Sequence, residues 1–143
     1  MSIRRAVEYN MKTRIERYLV NTKFPVIESQ RQEERPIPCV LIVAGDATPA
    51  FNTSEYTGNY EIPFNVVIIS SLDKTTVDEH DNVVQTVLAV MRDKDTRTKS
   101  VIKDLYLYGV HHNSSSEDNG DRRMGMILNY TAVVNYSPDL PKI

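Results

Sequence analysis

The stretch Pro38-Cys39-Val40-Leu41-Ile42-Val43-Ala44-Gly45-Asp46 decides how this chain is read. Its middle is apolar at every position and rich in β-branched residues. A run that offers no wet face suits a strand covered on both sides, hence a central one. Pro38 belongs at the strand's start, where a missing N–H is tolerated, and Gly45-Asp46 ends it. The connection over 46–59 is long for a hairpin, and loops of that size are commonly functional or mobile. From residue 60 the pattern alternates. Tyr60, Ile62, Phe64, Val66 and Ile68 share one face, and Glu61, Pro63, Asn65, Val67 and Ile69 share the other. Pro63 predicts an edge or overhang at the beginning of that strand, with backbone groups open to a neighbour. Thr75-Thr76-Val77-Asp78-Glu79-His80 then opens a helix. Thr76 and Glu79 stand at capping-box spacing, and acids crowd the positive end of the helix dipole.

Before the central strand, Ile3, Val7, Met11, Ile15, Tyr18 and Leu19 recur at helical steps over 3–19, with Ser2 placed to cap. The other faces carry Arg4, Arg5, Lys12, Arg14 and Arg17 against Glu8 and Glu16, a solvated face or a contact for DNA or an acidic partner. Residues 21–36 form a polar connector with an extended piece at 24–27. After helix two, whose apolar stripe is Val77, His80, Val84, Val87, Leu88 and Met91, residues 105–110 predict a short strand. Residues 111–123 offer little to bury and predict a solvated, mobile loop. The stretch 126–136 alternates with Met126, Leu128, Tyr130, Ala132, Val134 and Tyr136 on one face, an antiparallel partner for the preceding strand. Residues 137–143 carry two prolines and predict an extended tail.

The expected fold is a single α+β domain over 1–143, a mixed or antiparallel sheet with two packed helices in α-β-β-α-β-β order. If the two hairpins lie side by side, their tips at 46–59 and 111–123 are expected to extend the same way. A length of 143 residues suits one core, and 41% hydrophobic with 25% charged residues suits a globular chain. A net charge of −2 argues against a dedicated DNA binder, which concentrates positive charge. The lone Cys39 excludes an internal disulfide framework and reads as a buried hydrophobe in a reducing compartment. No apolar run reaches the ~20 residues of a membrane span, so no membrane partner is expected.

No catalytic constellation emerges. Five glycines assemble neither a phosphate loop nor a dinucleotide fingerprint. In Asp78-Glu79-His80-Asp81 adjacent helical residues diverge, and His80 falls on the apolar stripe, a core or interface histidine. His111 and His112 with Asp118 and Asp121 lack a rigid frame for a metal, and Glu61, Asp73 and Lys74 are spread along one strand. No catalytic residue, cofactor or metal is therefore expected.

Cys39-Val40-Leu41-Ile42-Val43-Ala44-Gly45-Asp46-Ala47, Pro49-Ala50-Phe51, Gly58-Asn59-Tyr60, Ser70-Ser71-Leu72-Asp73 and Thr76-Val77-Asp78-Glu79-His80 together resemble tail terminator (tail completion) proteins of long-tailed bacteriophages. The resemblance implies a hexameric ring of this chain, built in the host cytoplasm and carried in the tail or neck of the virion. The ring would cap the head-proximal end of the tail tube, stop tube polymerisation and join head-completion or connector proteins. DNA would pass through its lumen without sequence-specific binding. Interface candidates are Asp46, Phe51, Tyr56, Asn59, Tyr60, Pro63, His111, His112, Arg122 and Arg123. Arg4, Arg5 and Lys12 are candidates for facing DNA or an acidic partner. Other readings are a different neck component (connector or stopper), a small-molecule-binding regulatory module and, least favoured, a metal-dependent nuclease.

Overall fold

The computed structural model describes residues 1–29, 36–51 and 57–138. In chain order it contains α1 (Ile3–Glu16), β1 (Val26–Glu28), β2 (Cys39–Ala44), β3 (Thr48–Pro49), β4 (Asn59–Ser71), α2 (Val77–Arg92), α3 (Lys94–Thr98), β5 (Leu105–Glu117) and β6 (Arg123–Tyr136). The described strands form one six-stranded mixed sheet in the order β1-β2-β4-β6-β5, with β3 added to β4. Among the described strands only β1 and β2 run parallel, and every other pairing is antiparallel. The fold is α+β, as the sequence pattern indicates.

Strand alternation sets which face is buried. Val40, Ile42 and Ala44 lie opposite Ile68, Val66 and Phe64, which in turn face Met126, Leu128 and Tyr130. This face packs against α1 through Val7, Met11 and Ile15, and against α2 through Val83, Val84, Val87 and Met91, in one core. The Phe64 and Tyr130 rings stack with centroids 5.4 Å apart. Helix α2 begins with the expected capping box, Thr76 and Glu79 each accepting the other's backbone N–H. Helix α1 is capped by Ser2 and ends at Glu16, so Tyr18 is exposed, while Leu19 still reaches the core. Val77, expected on the stripe of α2, is exposed instead.

Three expectations are corrected. First, 111–123 is not a loop: β5 continues through Glu117, paired with β6 to Met126, and only 118–122 turn. An edge strand lying off the core needs no apolar residue, because its ladder bonds to β6 hold it. Two irregularities, between Leu107 and Gly109 and between His112 and Ser114, break its alternation. Second, the start of β4 is not an overhang. It pairs with β6 from Asn59 onward and with β3 at Tyr60 and Glu61. Pro63 is tolerated because β2 yields to β3 beside it. The Pro63 carbonyl accepts from Gly45 N–H (2.7 Å), so the ring nitrogen points to that same side, where the chain leaves the ladder. Third, the hairpin tips point to opposite ends. The β2–β4 connection adjoins Asn59, opposite Asn135, whereas the β5–β6 turn adjoins Arg123, opposite Ser71.

Candidate functional site

At the Asn59 end, three exposed aromatic side chains form a ladder on the sheet face away from the helices. Tyr106 and Tyr108 project two residues apart from β5. Their ring centroids are 5.0 Å apart, and Phe51 meets Tyr108 edge-on at 5.0 Å. All three are about half exposed: 57% for Phe51, 59% for Tyr106 and 45% for Tyr108. Polar bonds lock the ladder's base. The Tyr108 hydroxyl donates to Asn59 Oδ1 (3.0 Å), as does Asn135 Nδ2 (3.0 Å), which also reaches Thr57 O. Buried Ala50 donates its N–H to Asn59 O, and Phe51 follows in a left-handed conformation (φ 58°). A bulky residue held there is strained, and it persists because the anchored turn dictates it. Gly58, at φ 75°, lies against Ser137 and Tyr136, where a Cβ would stand 2.7 Å from Ser137 Oγ.

The opposite end is the β5–β6 turn. Arg122, also left-handed (φ 55°), donates from Nε to Asp73 Oδ1 at 2.8 Å, and Leu72 N–H donates to Arg122 O. The hydrogen bond from Arg122, then its charge, holds the Asp73 carboxyl below the usual range. Both groups are exposed, so salt screens the pair and it adds little stability. Beside this turn Leu41, Val43, Val67, Ile69 and Ile127 line a shallow groove with Arg123 at its rim.

The helix side closes the other sheet edge. Glu8, 1% exposed, accepts from Ala44 N–H (2.9 Å), Ser29 N–H (3.1 Å) and the Ser29 hydroxyl (2.7 Å). One turn earlier Arg4 Nε donates to Ala44 O (3.0 Å). Beyond the end of short β1, these two side chains satisfy both backbone groups of Ala44 in place of a neighbouring strand. Lys12 pairs with Glu28 at 3.7 Å. On α2, His80 is buried with Nδ1 2.6 Å from Ser70 Oγ, and burial pushes its pKa down.

The sequence-derived candidates thus scatter. Phe51 and Asn59 belong to the aromatic end, with exposed Asp46 and Pro63 on the same side of the β2–β4 hairpin. Tyr60 turns to the helix-covered face and packs against the core. Tyr56 lies outside the described residues. His111 is exposed, while the adjacent His112 stacks on Tyr130 at 4.9 Å and reaches Ser114 O and Ser115 Oγ. Arg122 and Arg123 stand at the far turn. Arg4 and Lys12 are engaged as described, and Arg5 is exposed. Among the described residues no three His, Cys, Asp or Glu side chains gather to hold a metal. Glu61 lies near the start of β4 and Asp73 in the turn that follows Ser71 at its end, ten extended residues or about 33 Å further along the strand. No described helix is long and apolar enough to cross a membrane. Sequence reasoning missed Tyr106, Tyr108 and Glu8. Aromatic residues at alternate positions flanking Leu105 and Leu107 were the signal for the first two.

No protein-family model matches this sequence, and no curated protein matches it. Among solved structures the fold is similar to that of a chain in the virion of a native gene transfer agent (GTA) particle. The TM-score is 0.59 at 13% identity, covering 90% of this chain and 94% of that one. A looser likeness links it to the bacteriophage SPP1 gp17 protein, with TM-score 0.42 at 15% identity over 90% of this chain and 91% of that one.

Proposed function

We propose that this chain is a structural protein of a phage or phage-like virion and that, within it, the chain is the tail terminator. In this reading copies of the chain close into a hexameric ring on the head-proximal end of the tail tube. The ring stops further addition of tube subunits and presents a joining surface to head-completion or connector proteins, with DNA passing through its lumen. The observation that carries the reading is the end-to-end likeness in fold to a chain of the gene transfer agent virion. The sequence resemblance described above narrows it to the terminator. Topology supports it further: head-to-tail ring contacts join two different patches of one subunit. Here an aromatic patch and a hairpin turn lie at opposite ends of the sheet. The Glu8 and Arg4 contacts close the β2 side, which leaves β5 as the long edge strand.

Mixing the purified protein with tail tubes of its parent particle, followed by negative-stain imaging, tests this. Rings at one tube end and an arrest of tube growth are expected. Tubes that stay uncapped while DNA-filled heads acquire the protein would replace the terminator by a connector or stopper.

A further inference from the structure

The aromatic ladder is built as a binding platform. Its three rings are exposed yet fixed: Tyr108 by its bond to Asn59, Phe51 by the anchored turn, and Tyr106 by the edge contact to Tyr108. Rigid exposed tyrosines supply large contact area at low entropic cost and are enriched in interface hot spots. The chemistry around them argues against nucleic acid as the ligand. The rim carries the exposed acids Glu61 and Asp104 against Lys103, which is not the cationic groove that tracks a phosphate backbone. Aromatic-lined surfaces of this kind accept proline-rich segments, whose extended backbone is already ordered before binding.

The chain itself carries such a segment. Pro138-Asp139-Leu140-Pro141-Lys142 has two prolines at PxxP spacing followed by a cation. It follows directly on β6, where Ser137 N–H donates to Asp104 O at 3.1 Å, beside the platform. β6 runs past Tyr106 and Tyr108 before it ends at Tyr136, opposite Leu105, so the chain leaves the sheet heading away from the two rings. We propose that the aromatic platform of Phe51, Tyr106 and Tyr108 binds the 138–142 segment of a second copy of this chain. The prolines lie against the tyrosine faces, and Lys142 is drawn to the Glu61 and Asp104 side. The contact goes beyond the ring reading and requires only that two copies meet.

Photo-crosslinking in the full chain tests it. A copy carrying Leu140→p-benzoylphenylalanine is mixed with an equal amount of 15N-labelled chain, irradiated and digested. The expected product joins the light peptide around residue 140 to heavy peptides containing Tyr106 and Tyr108. The double variant Tyr106→Ser with Tyr108→Ser, its fold checked by circular dichroism, lowers that product about tenfold, as loss of a hot-spot aromatic pair does. Products joining light peptides alone would mean that the segment binds its own subunit, and they overturn the proposal. So do cross-links that avoid 105–108, and a yield that the double variant leaves unchanged. If copies associate while cross-links fall elsewhere, this contact fails and the ring reading stands. If the chain stays monomeric at every concentration, both fail.

Discussion

Removing the Glu8 carboxylate is expected to destabilise the fold far more than any other charge removal on α1. The side chain accepts two backbone N–H groups, those of Ala44 and Ser29, and the Ser29 hydroxyl, at a site where it is 1% exposed. A buried donor left without a partner costs about 1–3 kcal/mol. The Ala44 N–H is buried and the Ser29 N–H half-buried, so stranding both gives about 2–5 kcal/mol for Glu8→Ala, and the gain in helix propensity returns only about a few tenths of a kcal/mol. Glu8→Gln keeps the shape and one acceptor oxygen but turns an amide donor towards a donor, so a loss of about 1–3 kcal/mol is expected. Urea unfolding followed by far-UV circular dichroism reads both. The midpoint should fall with little change in slope, since the surface exposed on unfolding is unchanged. Glu16→Ala, an exposed position on the same helix, should stay within about 0.5 kcal/mol of the parent. A Glu8→Ala loss below about 1 kcal/mol would refute the reasoning, because the clamp on the β2 edge would then be replaceable by water.

Three further outcomes follow from the packing. Burial holds the His80 imidazole below its ordinary value near 6.5. As pH falls the unfolded chain therefore takes up that proton first, so stability declines below about pH 6.5, and His80→Phe should flatten that slope in urea titrations across pH. At Gly125 a Cβ would stand 2.6 Å from the Asp118 carbonyl oxygen. Gly125→Ala should cost about 1–3 kcal/mol by overpacking and speed hydrogen exchange around 118–125, whereas unchanged exchange would count against the tight turn. The buried Tyr130 hydroxyl has no hydrogen-bond partner among the described residues, and burial raises its pKa to about 12. Tyr130→Phe should therefore leave the melting temperature unchanged or raise it, and a marked fall would mean that the hydroxyl is satisfied.

Periodicity carried most of the fold. The apolar run at Cys39–Ala44, the alternation of β4 and β6 and the capping box of α2 each have a local cause visible in one short stretch. Errors arose where the cause is distant. The polar half of β5 is a strand because β6 supplies its ladder partners, something no pattern within 111–117 encodes. Pro63 read as an edge signal, yet it occupies a central strand at the point where its neighbour changes from β2 to β3. Glu8 read as part of a wet face because its partners lie 21 and 36 residues away. The candidate site was only half legible. Phe51 and Asn59 were visible as residues of an oversized loop, but their juxtaposition with Tyr106 and Tyr108 exists only once β5 is laid beside β6 and β4.

The central claim concerns where the chain sits in a particle. Cryo-electron microscopy of the parent virion tests it most directly, with the density at the junction of tail tube and head compared with this fold. The account predicts one ring of six copies on the last tube ring, each copy oriented with its two sheet ends towards different neighbours. Finding the chain in the capsid shell, along the length of the tube, or absent from the particle would contradict it.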